Sequence, residues 1–129
     1  MRAGGEARAM TDKSETPMWM VDANTYRITM ANHSAEKMFG YNADQLASKT
    51  IFDIVVPEEA DALREAFARR AFAGQGGSWT LRHSSGTRFR IHIRYHYVAR
   101  DGTKLQFTFA DEIHGHPDFP EGQTEGLKS

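Results

Sequence analysis

The chain has 129 residues, with 16 Lys and Arg against 17 Asp and Glu, and no cysteine. This length predicts one domain that buries about two-thirds of the surface its unfolded chain would expose. The net charge of −1 argues against nucleic acid or an anionic membrane as a partner, and the lack of cysteine excludes disulfides, thiolate metal sites and a cysteine nucleophile. No apolar run reaches the length of a membrane span and "MRAGGEARAM" is too polar for a signal peptide, so we expect a soluble, cytoplasmic domain.

The first forty residues predict an arm followed by a hairpin. Residues 1–16 mix Gly, Ala and charged side chains without an apolar stripe, so we expect a flexible N-terminal arm. The run "PMWMVDANTYRITMAN" then predicts two short strands, 18–21 and 26–31, joined by a tight turn that begins at Asp22.

Helix signals follow the hairpin. Asn32 is a candidate N-cap for a short helix over residues 33–39, and Gly40 lies just past its end, where a left-handed backbone is common. Asn42 and Gln45 have the spacing of a capping box, which predicts a second short helical turn.

The longest predicted helix starts near Pro57 and ends near Arg69 and Arg70. Glu58 and Glu59 suit its positive end, and the two arginines suit its negative end. One helical face carries the apolar residues and should pack on a sheet. That face consists of Leu63, Ala66, Phe67 and Ala71.

Three predicted strands, 78–83, 88–98 and 104–110, complete the chain. They are joined by turns at Ser85-Gly86 and Asp101-Gly102, both strong hairpin signals. The segment "RFRIHIRYHYV" alternates with the period of a strand, so its odd-numbered residues should face the core and its even-numbered arginines and histidines the other side. In the last strand we expect the apolar residues, among them Phe107 and Phe109, to face the core.

The order of elements, two strands, several short helices and three strands, defines the fold class. Segregation of this kind predicts an α+β domain, with a five-stranded antiparallel sheet and the helices packed on one face.

The chain resembles a PAS domain over residues 17–113. "MVDANTYRITMAN" is similar to the opening strands of that family, and "HSAEKMFGYNADQLASKTIFDIV" to its short helices, including Phe39-Gly40-Tyr41. "SSGTRFRIHIRYHYVARDGTKLQFTFADEI" is similar to its closing hairpins. The departure comes next, because "HGHPDFPEGQTEG" opposes the continuous signalling helix that often follows in this family. We expect residues 114–129 to form a flexible acidic tail.

The resemblance implies a sensory or interaction module of a cytoplasmic, bacterial signal-transduction protein, with no catalysis of its own. It implies a ligand between helices and sheet, and Asn32 as a structural cap. A ligand-free dimerisation module and a small α+β cavity enzyme are the alternatives. The candidate cavity residues are Met38, Phe39, Ile54, Leu63, Phe67, Trp79, Leu81, Ile91, Ile93, Phe107 and Phe109.

The cofactor is open at this point. The photoactive flavin subclass of the family needs a cysteine, which this chain lacks. Haem in one subgroup takes an axial histidine from the long helix, and residues 60–73 contain none, which leaves His33 or His83. Non-covalent flavin could lie between Trp79 and Phe109.

The even-numbered face of the long strand is a candidate partner surface made of Arg90, His92, Arg94 and His96. Four residues along a strand separate His92 from His96 by about 13 Å, too far to share a metal ion. His114 and His116 alone would make only a weak metal site. Without interleaved aromatic residues a nucleic-acid contact is not expected, so the surface fits a second copy, an output domain or an acidic partner.

Overall fold

A computed structural model describes residues 16–69 and 74–123. The predictions for residues 1–15, for Arg70 and Ala71, and for the end of the acidic tail fall outside the described residues. Within them, no helix has the length and apolar composition needed to cross a membrane.

The described chain contains six strands and three α-helices. The strands are β1 (Met18–Asp22), β2 (Ile28–Ala31), β3 (Gly74–Arg82), β4 (Arg88–Arg100), β5 (Thr103–His114) and β6 (Gly122–Gln123). The helices are α1 (His33–Phe39), α2 (Ala43–Ala47) and α3 (Ala60–Arg69), with 3₁₀ turns at Ile51–Asp53 and Pro57–Glu59.

The strands form one antiparallel sheet in the order β2-β1-β5-β4-β3, and the two-residue β6 pairs with the end of β5. The helices and 3₁₀ turns contribute to the same core as the inner face of the sheet. The prediction of an α+β domain with a five-stranded antiparallel sheet is therefore confirmed.

Asn32 joins the start of α1 to the start of β1. Its side-chain oxygen accepts hydrogen bonds from the backbone N–H of Ala35 at 2.9 Å and of Met18 at 3.1 Å. Its amide nitrogen donates to the carbonyl oxygen of Thr16 at 2.9 Å. The residue is 1% exposed, so its loss would remove three hydrogen bonds to backbone groups at the start of β1 and of α1.

Gly40 ends α1 in the left-handed region, with φ of 83°. A Cβ at this position would lie 2.5 Å from Nε2 of His83. Both the backbone conformation and the close approach of the β3–β4 turn therefore require glycine here.

The turn between β4 and β5 fixes which residues of β5 face the helices. Asp101 and Gly102 have φ of 52° and 79° and form a two-residue turn, in which Arg100 pairs with Thr103. Counting back from the turn, inward-facing Tyr95 lies opposite Thr108. Up to Ala110, even-numbered residues of β5 therefore share the inner face with odd-numbered residues of β4. The register shifts between His92 and Ile93, and beyond it Ile113 pairs with Ile91 and is buried.

The expectation that Phe107 and Phe109 face the helices is wrong. Gln106, Thr108 and Ala110 are buried on the inner face, while the two phenylalanines are half-buried on the outer face. The physical reason is that side chains alternate strictly along a strand, so the turn register decides the face even when the other set is more apolar.

Residues 114–123, which we call the C-terminal strap, contact the rest of the domain, although the sequence suggested a flexible tail. His116 is 4% exposed and lies within 2.9 Å of the carbonyl oxygen of Met38. β6, at the end of the strap, pairs with Glu112 and Ile113 of β5. The strap is thus closed at its base by strand pairing and anchored at its tip by a buried side chain.

Candidate functional site

A small cavity lies between α3 and the inner face of the sheet. Its volume is about 20 Å³, enough for roughly one water molecule. The wall is apolar except for two side chains from β5. The lining residues are Trp19, Ile51, Val55, Leu63, Phe67, Trp79, Leu81, Ile91, Ile93, Gln106 and Thr108.

A second cavity of about 40 Å³ adjoins the first. Its wall adds Ala66 of α3 and Tyr95 of β4. Burial raises the pKa of the Tyr95 phenol, with Arg69 opposing the shift, so this hydroxyl stays protonated at neutral pH. The two cavities share the lining residues Leu63, Phe67, Trp79, Ile93 and Gln106.

Gln106 and Thr108 form a polar pair inside this apolar site. The Thr108 hydroxyl donates to Gln106 Oε1 at 2.9 Å, which orients the amide. Gln106 is 9% exposed, and among the described residues its amide nitrogen has no hydrogen-bond partner. Among the described residues no side-chain nitrogen or oxygen is buried without a hydrogen-bond partner, so this nitrogen carries no burial penalty. Its N–H groups can still donate to a ligand at the point where the cavities meet.

The structure brings together only part of the predicted cavity. Leu63, Phe67, Trp79, Leu81, Ile91 and Ile93 line the first cavity. Met38, Phe39 and Ile54 are 0% exposed and lie in the packed core, where the Phe39 ring meets Trp19 edge-on at 5.2 Å. Phe107 and Phe109 lie on the other side of the sheet.

Sequence reasoning missed Gln106 and Thr108, although the signal was present. The two-residue turn at Asp101-Gly102 was predicted, and counting the register from it would have placed both side chains inside. Trp19 had no such signal, because both faces of β1 are apolar. Ile51 and Val55 lie in turns, where no period identifies the buried side.

The site does not fit haem or flavin. No histidine lines either cavity, and among the described residues no group of three or more His, Asp and Glu side chains could hold a metal ion. The His33 side chain is 78% exposed, and His83 lies in the β3–β4 turn with Nδ1 2.9 Å from the Ser85 hydroxyl. Trp79 and Phe109 lie on opposite faces of the sheet and cannot flank one ring. The volumes are also far below that of either ring system.

The outer face of the sheet carries a continuous row of apolar residues, which we call the outer apolar strip. In register, Met30 lies beside Met20 and Met20 beside Phe107, so an apolar row crosses β2, β1 and β5 and ends at His96 on β4. Each apolar member is half-buried. The strip consists of Met18, Met20, Met30, Val98, Leu105, Phe107 and Phe109.

The predicted partner surface lies on this same face. Arg90 donates to the Thr80 hydroxyl at 3.2 Å, and His92 Nδ1 lies 2.7 Å from a carboxylate oxygen of Asp111. The His96 ring packs against Phe107 at 5.2 Å, and Arg94 is exposed. The basic residues therefore flank an apolar strip, which makes this face more apolar than the long strand alone suggested.

The family model described as the PAS fold matches residues 5–110. The sheet order, the short helices and the core between helices and sheet agree with it, and the chain belongs to the PAS family. The resemblance found in the sequence is confirmed. No curated protein matches the chain in sequence.

Solved structures with similar folds include several PAS domains. One from a two-component sensor histidine kinase has a TM-score of 0.71 at 15% identity, covering 84% of this chain and 94% of that chain. The PAS domain of an HTR-like protein from Haloarcula marismortui has a TM-score of 0.72 at 11% identity, covering 84% and 89%. The PAS domain of nitrogen regulation protein NR(II) from Vibrio parahaemolyticus has a TM-score of 0.63 at 13% identity. This match covers 81% of this chain and 94% of that chain. At these identities the likeness shows the fold alone.

Proposed function

We propose that this domain is the non-catalytic sensor of a cytoplasmic, bacterial signal-transduction protein. It binds a small uncharged ligand at Gln106 and passes the occupied state to a second copy of the chain through the outer apolar strip. The observation that carries the proposal is the position of the Gln106 amide, which Thr108 orients and which lines both cavities where they meet.

The lining of the site defines the ligand's chemistry. Among the described residues, no Lys, Arg, His, Asp or Glu lines either cavity, so an ionised ligand would lose its hydration without gaining a counter-charge from them. The amide N–H groups of Gln106 call for a hydrogen-bond acceptor, such as a carbonyl oxygen. The volumes limit the ligand to a few heavy atoms. A small ketone or amide with an apolar body meets these conditions.

β5 connects the site to the outer face. Gln106 contacts the cavity, and the next residue, Phe107, belongs to the outer apolar strip. If β5 has two arrangements and the ligand binds one of them more tightly, the ligand shifts the equilibrium toward that arrangement. The size of the shift is set by the ratio of the two affinities, and the outer face of β5 changes with the inner face. This mechanism needs no catalytic group.

A second copy is the occupant that best fits the strip. Exposed apolar patches of this kind mark interaction surfaces. The strip is flanked by both signs of charge, Arg90 and Arg94 on β4 and Asp111 and Glu112 near the end of β5. In a twofold contact each sign can meet the other on the second copy, whereas a uniformly acidic partner would also meet the two acids.

Ligand binding is tested with acetone and isobutene, a pair of the same shape that differs in the acceptor oxygen. In NMR titrations of the wild-type chain we expect acetone to shift the amide signals of the cavity residues at lower concentration than isobutene. Gln106→Leu should abolish that preference. If neither compound binds the wild-type chain, the sensor proposal fails and the ligand-free dimerisation module becomes the better description.

Association is tested by analytical ultracentrifugation. Phe107→Glu should shift the chain from dimer to monomer, because in the dimer the new carboxylate would be buried at the centre of the strip. Ala62→Glu places the same new charge on an exposed position of α3 and serves as the matched control. A wild-type chain that sediments as a monomer at high concentration would contradict the proposed second copy.

A further inference from the structure

We propose that the C-terminal strap is a proton-controlled latch, which docks on the domain when His114 is charged and His116 is neutral. The two histidines are two residues apart, yet their surroundings are opposite. One is exposed between carboxylates and the other is buried among rings.

His116 fits its site only as the neutral imidazole. The backbone N–H of Asp118 donates to His116 Nδ1 at 3.1 Å, so this nitrogen is the acceptor. Nε2, 2.9 Å from the carbonyl oxygen of Met38, must then carry the hydrogen and donate it. A second proton would sit on Nδ1, facing the N–H of Asp118, and would break that bond.

The surroundings of the His116 ring also disfavour its charge. Ring centroids of Phe89 and Phe119 lie 4.6 and 4.9 Å away, and that of His83 lies 5.5 Å away. Burial lowers the pKa of His116, and the bond to Met38 opposes this; among the charged groups facing it, His83 and Lys37 lower the pKa and Asp118 raises it.

His114 has the opposite requirement. Its Nδ1 lies 2.9 Å from Glu121 and its Nε2 lies 3.2 Å from Glu112, so only the imidazolium can donate to both carboxylates. The hydrogen bonds to Glu121 and then Glu112 raise the pKa of His114. The other oxygen of Glu121 accepts from the N–H of Gly115 at 2.7 Å, so the charged pair closes the strap's loop. Arg90 stands opposite His114 in the strand register.

These opposite shifts give the latch a pH optimum near the ordinary histidine pKa of 6.5. Because the docked strap holds the pKa of His116 below that value, the released strap binds the proton more readily, and docking weakens as pH falls below 6.5. Because the docked strap holds the pKa of His114 above 6.5, the charged His114 stabilises docking at low pH, and this stabilisation is lost as pH rises through the raised pKa. Docking is therefore weaker both below and above pH 6.5.

Release of the strap has a defined structural consequence. The Met38 carbonyl, near the end of α1, loses its partner, and the Phe89 ring loses the imidazole that covers it. At the base, the pairing of β6 with β5 within the described residues consists of Gln123 with Glu112 and Gly122 with Ile113. The latch would thus convert a change in pH into release of the C-terminal chain from the sheet.

Hydrogen exchange of the strap amides at pH 5.5, 6.5 and 7.5 tests the latch, after correction for the intrinsic pH dependence of exchange. In the wild-type chain we expect protection to be highest at pH 6.5 and roughly three- to tenfold lower at the other two values. His116→Phe keeps a ring but cannot be protonated, so the loss at pH 5.5 should disappear. His114→Gln should remove the loss at pH 7.5. His33→Gln, an exposed histidine outside the strap, should keep the wild-type profile.

A direct titration keeps the test valid if a variant does not fold. The ring protons of His114 and His116 in the wild-type chain should titrate above and below pH 6.5 respectively. The latch is overturned by the reverse order, by equal values, or by protection that changes in one direction only across the range.

Discussion

On β5 the polar side chains lie on the face that packs against the helices, and the large apolar ones lie on the outer face, the reverse of the usual arrangement. The inner face, which packs against helices, presents Gln106 and Thr108, while the outer face presents Phe107 and Phe109. On neighbouring β4 the order is the usual one, with apolar residues inside and arginines outside. Compared with β4, β5 therefore buries less apolar surface on its inner face, where it presents hydrogen-bonding side chains. It exposes more apolar surface on its outer face.

The largest expected effect is the difference in unfolding free energy between truncating a side chain on the inner face of the sheet and truncating one on the outer face. Ile91→Ala removes a residue that is 2% exposed on the inner face and should lower the free energy of unfolding by about 3 kcal/mol. Phe107→Ala removes a larger side chain from the half-exposed outer face and should cost under about 1 kcal/mol in the monomer. Urea unfolding at a concentration where the chain is monomeric measures both. Equal losses would mean that Phe107 belongs to the core.

A smaller effect tests whether the β4–β5 turn sets the register. Gly102 has φ of 79° and open space around its Cα, so Gly102→Val should destabilise through the backbone alone, by roughly 1–3 kcal/mol. Asp101→Asn is the matched control, because asparagine tolerates the left-handed region, and its unfolding midpoint should stay unchanged. If Gly102→Val leaves the midpoint unaltered, the turn does not hold the conformation that fixes β5.

The smallest effect concerns the polar pair. Thr108→Val should cost about 1 kcal/mol, because the Gln106 side chain loses its hydrogen-bond donor within the apolar site. The double variant Gln106→Leu with Thr108→Val should recover most of this loss, since replacing both partners by apolar groups is nearly neutral. Thermal unfolding of the two single variants and the double variant gives the coupling energy. Simple additivity would show that the pair does not interact.

The fold was largely predictable because its local signals agree with one another. Alternation, capping residues and the turns at Ser85-Gly86 and Asp101-Gly102 all specify the same arrangement. The face of β5 was predicted wrongly because hydrophobicity was weighed over register. The inward placement of Leu63 and Phe67 followed from the helical period, whereas that of Ile51 and Val55 depends on how a turn packs against the sheet.

The strap could not be predicted for a different reason. Its Gly and Pro residues correctly indicated the absence of a continuous helix there, but nothing local distinguishes a mobile tail from a packed loop. The burial of His116 depends on the Met38 carbonyl, which is 78 positions away in the sequence. Such a contact has no period and no spacing rule, so only the tertiary structure shows it.

Asn32 has a consequence for how the domain can be joined to other chains. It fixes the carbonyl of Thr16, and the next residue, Pro17, accepts a hydrogen bond from the N–H of Ala110 in β5. The chain therefore enters the domain beside β5, and β6, where the described residues end, also pairs with β5. The exposed turn at Ser85-Gly86 joins β3 to β4. Neighbouring ends of this kind suit circular permutation and insertion into a host loop. A permuted chain opened at Ser85-Gly86, with residues 16 and 123 bridged by a short linker, should retain the same sheet.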